Sequence, residues 1–445
     1  MSKPAARPFA AGRWPAALAP RVLAGRAFQL AVAAVRSSGL LPKSIPDGRG
    51  DERELAASPP DCEVIVFFAD TLNGLYQLRP WYKALRALHQ RRRLAVVGTD
   101  SRAIRAIRRE SRLPAYTISH YSSVDLILAR RPVRLALYVN HNAANFSLLA
   151  FPQLVHVSIM HGDSDKIVSV SGQTKAYDFT FVPGQAAVDR LAAHLPRFDA
   201  RSRCVVIGRP QLDPAKFVAP AAGGGRWTVL YAPTWEGGTA SAAYSSLAAY
   251  GARLADAVLA DRRFRFLYRP HPLTGTRLPR FAEADARLRR LVEAAAKADP
   301  AAGHAISLGG DAGPALARAD LLISDVSSLA VDFLVTGRPL TVTTPPSPQA
   351  VVAPTRLLTA APRLGEPELG RLAEFLVALI EHDEAQADRA SLAEYYLGDI
   401  RPGAAISEFV EACGRMIQLA QADCGQCRPT AEPAACGGPR IGDRR

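Results

Sequence analysis

The sequence lacks the short glycine-rich motifs of the commonest nucleotide-binding proteins. Its 445 residues contain neither Gly-x-Gly-x-x-Gly nor Gly-x-x-x-x-Gly-Lys-Ser/Thr. Both motifs hold phosphates on backbone N–H groups where a helix begins, so their absence argues against a dehydrogenase and a P-loop enzyme. The chain also lacks the aromatic-plus-basic modules of nucleic-acid-binding proteins, and we therefore expect no nucleic-acid partner.

Long apolar runs and cysteines are scarce as well. No transmembrane helix is predicted, because the best apolar run near the N-terminus is interrupted by Arg26 and Arg36 and falls short of the roughly 20 residues of a span. The basic residues continue past this run, which argues against a secretory signal. Six scattered cysteines suit a reducing cytoplasm. The tail residues Cys424, Cys427 and Cys436 could bind zinc, but no fourth ligand lies nearby, and the question stays open.

Acidic residues are absent from the first 46 positions, which carry seven basic ones. The whole chain has 55 Lys and Arg against 41 Asp and Glu, a net charge of +14, so this segment holds half of the excess. Apolar residues between the bases would allow an amphipathic helix on an anionic membrane surface. A disordered, arginine-rich extension explains the same pattern.

Short apolar strands alternate with helical segments through the rest of the chain, a pattern typical of parallel sheets covered on both faces. We predict an α/β protein with two Rossmann-like, doubly wound domains facing a cleft. The predicted parts are a basic extension (1–60), a first domain (61–212), a second domain (226–422) and a flexible tail (423–445). Ligands bind at the carboxyl ends of strands in such folds, so polar residues that follow strands are the candidates for a site.

The most informative turn follows the apolar strand Leu321–Ile323. Small polar residues occupy it: Ser324, Asp325, Ser327 and Ser328. A helical segment, Leu329–Val335, comes next, and a helix start with serine hydroxyls can hold a phosphate. Asp325 and Asp332 could suggest a divalent cation, but Asp332 falls inside the helix and could simply pair with a basic residue. No cluster requires a metal, and no cofactor is predicted.

His161 follows a predicted strand of the first half and precedes Gly162. A histidine in this position can act as a general base near neutral pH. Asp163 or Asp165 could hold its imidazole in one tautomer. An ordinary turn that contains a histidine is the alternative.

His271 follows a predicted strand of the second half, between Pro270 and Pro272. The two prolines restrict the backbone on either side of it. With Arg269 next to it, a rigid histidine suits binding of a diphosphate, although a plain strand-to-loop turn would look similar.

Four motifs, in this order, resemble the CDP-glycerol glycerophosphotransferases, the teichoic-acid polymerases and primases of bacterial cell walls. The motifs are His161-Gly162 with Lys166, Tyr231-Ala232-Pro233-Thr234-Trp235, Arg269-Pro270-His271-Pro272, and Ile323-Ser324-Asp325-Val326-Ser327-Ser328 with Asp332-Phe333. The resemblance covers roughly Glu63 to Glu411. It implies a GT-B fold, an acceptor-binding first half, a nucleotide-binding second half and peripheral attachment to the inner face of the cell membrane.

The resemblance also implies an activity of the EC 2.7.8 type, in which a CDP-activated polyol phosphate passes to an acceptor hydroxyl and CMP leaves. His161 would be the base and His271 would contact the donor diphosphate. The implied donor-binding residues are Arg269, Thr234, Ser324, Asp325, Ser327 and Ser328, and the supporting ones are Gly162, Asp163, Lys166 and Asp332.

The acidic residues Asp163 and Asp165 depart from the family pattern, which usually has Thr-Pro-Leu after the glycine. Negative charge near the cleft is odd for a phosphorylated polymer, so an acceptor other than polyglycerol phosphate stays open. Two alternatives to the transferase also remain. One is a GT-B glycosyltransferase or epimerase that acts on a nucleotide sugar, and the other is a non-catalytic protein that binds a nucleotide-activated polyol.

Overall fold

The computed structural model describes residues 49–129, 131–166, 170–217, 225–309 and 311–426. The predicted basic segment (1–46) and the tail cysteines Cys427 and Cys436 lie outside these ranges. None of the described helices has the length and apolar character needed to span a membrane.

The described strands form two sheets, and every pairing is parallel. The first sheet has the order β3-β2-β1-β4-β5-β6-β7 and the second the order β10-β9-β8-β11-β12-β13. The strands of the first are β1 Val64–Phe68, β2 Leu94–Gly98, β3 Ala115–Thr117, β4 Leu135–Tyr138, β5 Val155–Ser158, β6 Phe179–Val182 and β7 Cys204–Val206. Those of the second are β8 Trp227–Ala232, β9 Phe264–Tyr268, β10 Ala305–Ile306, β11 Leu321–Ser324, β12 Leu340–Thr343 and β13 Arg363–Leu364.

Helices cover both faces of the sheets. Those before the second sheet are α1 Glu52–Ala57, α2 Tyr82–Arg91, α3 Ser101–Ser111, α4 Val124–Leu128, α5 Gln185–His194 and α6 Ala200–Arg203. Those that follow β8 are α7 Leu247–Ala260, α8 Pro279–Ala298, α9 Gly313–Arg318, α10 Ser328–Phe333, α11 Arg356–Ala360, α12 Glu366–Leu369, α13 Leu372–Glu381, α14 Gln386–Leu397 and α15 Ala404–Gln426. The predicted doubly wound α/β architecture is confirmed.

The central strands are buried along their whole length, as expected of parallel sheets with helices on both faces. Every residue of β1, β2 and β4 is buried. These strands consist mainly of Val, Ile, Leu and Phe, and each such side chain contributes about 1.5–3 kcal/mol on burial. The core therefore fixes the strand ends rigidly.

The last helix, α15, corrects the predicted domain boundary, because it packs on the first sheet and not on the second. Phe409, Cys413 and Ile417 lie on one face of α15 and join the core that covers the first sheet. The Phe409 ring lies 5.2 Å from that of Trp81. A spacing of four residues predicts an apolar face but does not indicate which sheet that face covers.

Two segments whose sequences have helical periodicity, Leu75–His89 and Leu329–Val335, form shorter helices than that pattern predicts. The segment Leu75–His89 is interrupted at Pro80 and divides into 3-10 turns (Leu72–Gln77 and Arg79–Trp81) followed by α2. The helix after the serine turn, α10, has only six residues and gives way to a 3-10 turn before Gly337. Ser327 is therefore the N-cap of α10, and Ser328 is its first residue.

Strand order reverses once in each sheet, between β1 and β4 in the first and between β8 and β11 in the second. Crevices for ligands form at such points, outside the carboxyl ends of the strands. Asp70 and Asn140 follow the two strands at the first point, and Thr234 and Asp325 follow those at the second. The predicted site residues therefore collect between the two carboxyl edges.

Candidate active site

A cavity of about 650 Å³ lies between the carboxyl edges of the two sheets. Its lining comes from the segments after β1, β4 and β5 on one side and after β8, β9 and β11 on the other. Both predicted histidines, His161 and His271, line it.

His161 is held in one orientation by the backbone of the first sheet. Its Nδ1 lies 3.3 Å from the carbonyl oxygen of Val139. A carbonyl only accepts, so Nδ1 carries the hydrogen of the neutral ring and Nε2 keeps a free lone pair. Burial lowers the pKa of His161 to about 4. The ring is therefore neutral near pH 7 and offers an unprotonated nitrogen.

The residue before it, Met160, has a positive φ of 43°, which non-glycine residues rarely adopt. The indole N–H of Trp81 donates to the carbonyl oxygen of Met160 at 2.9 Å and fixes this unusual turn. Backbone strain of this kind persists where surrounding contacts enforce it, often at functional sites.

His271 has the opposite tautomer. Its Nδ1 accepts the backbone N–H of Leu273 at 3.1 Å, so in the neutral ring Nε2 carries the hydrogen. The indole of Trp235 stacks on the imidazole with 6.4 Å between centroids. Burial, and then the neighbouring charge of Lys166, lowers the pKa of His271 to about 3. His271 is thus a neutral hydrogen-bond donor.

Tyr76 brings the two histidines together, and the sequence analysis missed it. Its ring meets His161 and His271 edge to face, with 5.9 Å between centroids in each case. It belongs to the first 3-10 turn after β1. An aromatic residue soon after a central strand was the available signal.

Lys166 crosses the cavity to the other sheet. Its Nζ donates to the Thr234 hydroxyl at 2.7 Å and lies 5.7 Å from the ring centre of Tyr244. Burial lowers the pKa of Lys166 to about 8, against the opposing effect of Asp325. The structure therefore brings together two residues that the motifs predicted, one from each half.

Ser324 and Asp325 do not line the cavity, which corrects their predicted contact with donor phosphates. Asp325 is fully buried and accepts the backbone N–H of Thr234 at 2.7 Å and the Thr343 hydroxyl at 2.5 Å. Ser324 is equally buried and donates to the carbonyl oxygen of Ala232 at 3.0 Å. Both residues fix the loop that carries Thr234.

Ser327 and Ser328 do line the cavity. The Ser327 hydroxyl caps α10 by accepting the Ala330 N–H at 3.4 Å and lies 2.9 Å from the Ser324 hydroxyl. Ser328 faces Gly162, where an added Cβ would approach the Ser328 hydroxyl to 3.4 Å. The two cavity walls therefore come within van der Waals contact at Gly162 and Ser328.

Asp332 pairs with a basic residue, one of the two roles considered for it. Arg209 reaches it from after β7, with Nε 2.9 Å from one carboxylate oxygen and a terminal nitrogen 3.2 Å from the other. Both side chains are nearly buried, about 10% exposed. Arg209 was not predicted, because nothing in the local sequence relates it to Asp332.

Asp163 and Asp165 do not orient His161, which corrects a further expectation. Both pair with Arg190 of α5. Asp165 also accepts the hydroxyls of Thr355 at 2.6 Å and Tyr396 at 2.8 Å. The two carboxylates are therefore bound by protein groups and do not add free negative charge to the cavity.

Arg269 is nearly buried beside His271. It donates to the Ser307 hydroxyl at 3.2 Å and to the carbonyl oxygen of Gly309 at 2.8 Å. Burial lowers its pKa. Its fixed guanidinium contributes positive charge to the second-sheet side of the cavity.

Solved structures share this fold. A glycosyltransferase from Rickettsia africae has a TM-score of 0.50 at 9% identity, over 81% of this chain and 99% of its own. The S. aureus MnaA–UDP structure has a TM-score of 0.51 at 13% identity, over 80% of this chain and 97% of its own. The wall teichoic acid polymerase TagF, in a structure soaked with CDPG, has a TM-score of 0.50 at 13% identity, over 89% of this chain and 99% of its own. At these identities the likeness shows the fold alone, and the predicted GT-B fold is confirmed.

The family described as CDP-glycerol:poly(glycerophosphate) glycerophosphotransferase matches residues 205–346. No curated protein matches the sequence of this chain. The GT-B fold and the family match together support a transferase that uses a nucleotide-linked donor. The chain's resemblance to the glycerophosphotransferase family is confirmed, and the matched segment contains three of the four motifs but not His161.

Proposed function

We propose that the protein transfers a polyol phosphate, such as glycerol phosphate, from a CDP-linked donor to an acceptor hydroxyl and releases CMP. The observation that supports this best is the pair of neutral histidines in opposite tautomers, which meet on Tyr76 from the two sides of one cavity. One can take a proton and the other can donate a hydrogen bond.

His161 acts as the base in this proposal. The acceptor oxygen attacks the β-phosphorus of the donor, and its proton passes to the free Nε2 of His161. A new P–O bond forms, the bond from the β-phosphorus to the bridging oxygen breaks, and the electron pair leaves with CMP. A general base contributes about 10²–10⁴-fold to such a step.

The second-sheet side holds the donor. The protonated Nε2 of His271 donates to a diphosphate oxygen, and the hydroxyls of Ser327 and Ser328 contact the phosphates. Arg269 and Lys166 supply positive charge. Positioning and charge stabilisation of this kind carry most of the catalysis in phosphoryl transfer.

The product belongs to a surface polymer of the teichoic-acid type, made by a cytoplasmic enzyme on the inner face of the cell membrane. The seven basic residues of segment 1–46 support peripheral attachment, at about 1 kcal/mol for each base near an anionic surface. Co-sedimentation with anionic vesicles tests this, and equal binding by the full chain and by a chain without residues 1–46 would contradict it.

Two substitutions test the assignment of roles. We expect His161→Ala to abolish transfer from CDP-glycerol and to keep the affinity for the donor, because the base lies on the acceptor side. We expect His271→Ala to weaken donor binding and turnover together. CMP release and calorimetric titration with CDP-glycerol measure the two effects.

Wild-type CMP release by His271→Ala, or equal loss of donor affinity in both variants, would contradict the proposal. Release of UDP from a UDP-sugar, with no CMP from CDP-polyols, would favour a glycosyltransferase or epimerase. The neighbouring fold of MnaA in complex with UDP makes this comparison worthwhile.

A further inference from the structure

The acceptor must place its attacking hydroxyl next to His161, so the side chains around that base select the acceptor. This inference therefore rests on the proposed function. Five polar residues from the segments after β1 and β4 line the cavity on the side of the first sheet, and we call this set the polar wall: Asp70, Gln77, Asn140, His141 and Asn142.

The polar wall is connected to the base through Tyr76. Gln77 donates to the Tyr76 hydroxyl at 3.3 Å, and Asn140 donates to the Gln77 side-chain oxygen at 2.6 Å. Tyr76 in turn packs against His161. A unit of acceptor bound at His161 therefore lies against these amides.

No member of the polar wall is a cation near neutral pH. Burial lowers the pKa of His141 to about 4, and its buried Nδ1 has no hydrogen-bond partner among the described residues. Asp70 accepts a hydrogen bond from the backbone N–H of Thr71 at 2.7 Å, and it forms no ion pair within the described ranges. The wall thus carries one negative charge and several neutral donors and acceptors.

The described lysine and arginine side chains that line the cavity make their hydrogen bonds and ion pairs with groups outside the polar wall. Lys166 donates to Thr234, and Arg209 pairs with Asp332. Arg190 pairs with Asp163 and Asp165, and Arg269 donates to the loop after β10. None of them pairs with the polar wall.

We propose that the acceptor unit next to the attacking hydroxyl is a neutral polyol or sugar, without a phosphate within one unit of that hydroxyl. Carboxylate and amide groups bind hydroxyls well, and the Asp70 carboxylate accepts them strongly. A phosphate at ~7 Å from Asp70 would be repelled enough to lose more than about tenfold in affinity at an effective dielectric constant near 20.

Two matched acceptors test the proposal with CDP-glycerol as donor. One is octyl glycerol, and the other is octyl glycerol extended by one glycerol phosphate unit. Both end in the same hydroxyls, but only the second has a phosphate one unit away. We expect kcat/KM for the neutral acceptor to be higher by about tenfold or more.

Variants of Asp70 connect this preference to the polar wall. The ratio of interest is kcat/KM for the neutral acceptor divided by kcat/KM for the phosphate-bearing acceptor. We expect Asp70→Asn to lower this ratio. We expect Asp70→Lys to lower it further or to reverse the preference in favour of the phosphate-bearing acceptor. Glu293→Lys, on the exposed face of α8, makes the same charge change away from the cavity and should leave the ratio unchanged. Calorimetric titration with CDP-glycerol checks that each variant still folds and binds donor.

A wild-type preference for the phosphate-bearing acceptor, or a ratio that Asp70→Asn and Asp70→Lys leave unchanged, would overturn the proposal. CMP release would continue in both cases, so the proposed function would stand. Absence of transfer to either acceptor, with no binding of CDP-glycerol, would refute the proposed function and this inference together.

Discussion

Each sheet places an aspartate after a strand that borders its reversal of strand order, and the two sheets use that aspartate in opposite ways. Asp70 follows β1 and Asp325 follows β11, and each of these strands borders the reversal of strand order in its sheet. Asp325 is fully buried and accepts hydrogen bonds from Thr234, Ser246 and Thr343. Asp70 lines the cavity.

This difference shows that a strand end predicts proximity to a site but not the direction in which a side chain acts. Asp325 accepts hydrogen bonds from three other segments of the second half, so its carboxyl group fixes the loop that carries Thr234. Within the described residues, the hydrogen bond that Asp70 accepts comes from the neighbouring Thr71 N–H, and its carboxylate faces the cavity.

Replacing Asp325 and Asp70 separately with asparagine should give the largest difference in the free energy of unfolding between the two aspartates. We expect Asp325→Asn to lower the free energy of unfolding by about 3 kcal/mol or more, because an amide nitrogen would face donors that now bind a buried carboxylate. We expect Asp70→Asn to cost about 1 kcal/mol at most. Urea denaturation of the three proteins measures both values, and equal losses would remove the distinction between the two aspartates.

Much of the fold and part of the site could be predicted from local sequence. Buried strands such as β1 consist almost wholly of apolar residues, and His161, Lys166, Thr234 and His271 do line one cavity as their motifs indicated. These features depend on short stretches of chain, which local patterns describe well.

The remainder depends on contacts between distant segments. Tyr76 contacts both histidines because the carboxyl edges of the two sheets face each other. Arg209 belongs to the site because it pairs with Asp332, which is distant in the sequence. The assignment of α15 failed for the same reason, since an amphipathic helix does not specify its partner. The local sequence predicts Asp325 as a phosphate-binding residue. It does not indicate that Asp325 accepts hydrogen bonds from residues 18 and 91 positions away.

The ion pair between Arg209 and Asp332 connects the first half of the chain to the second half, because Arg209 follows β7 and Asp332 lies in α10. We expect Asp332→Asn to lower the free energy of unfolding by about 3 kcal/mol, because it leaves a nearly buried guanidinium unpaired. The matched control is Glu366→Gln, which removes an exposed pair with Arg253 and should cost less than about 1 kcal/mol. Similar losses of unfolding free energy for the two variants in chemical denaturation would show that the Arg209–Asp332 pair stabilises the protein no more than an exposed pair does.

The smallest expected effect is a shift in the pH dependence of kcat/KM, and it compares His161 with Lys166. The neutral form of His161 is the proposed base, and burial lowers its pKa to about 4, so activity should fall only as the pH approaches 4. Lys166 acts as a cation, and burial lowers its pKa to about 8, so activity should also fall as the pH rises through 8. We therefore expect a plateau between about pH 5 and 7.

Lys166→Arg distinguishes the two limbs, because a guanidinium keeps its charge well above pH 8. The alkaline limb should move upward by at least about one pH unit in this variant, and the acid limb should stay where it is. Lys166→Met should lose the alkaline limb and have a lower plateau. Steady-state CMP release from pH 4 to 10 measures all three profiles. An alkaline limb at the same pH in Lys166→Arg would show that a group other than Lys166 titrates there, and the assignment of Lys166 as the titrating cation of the donor side would then be wrong.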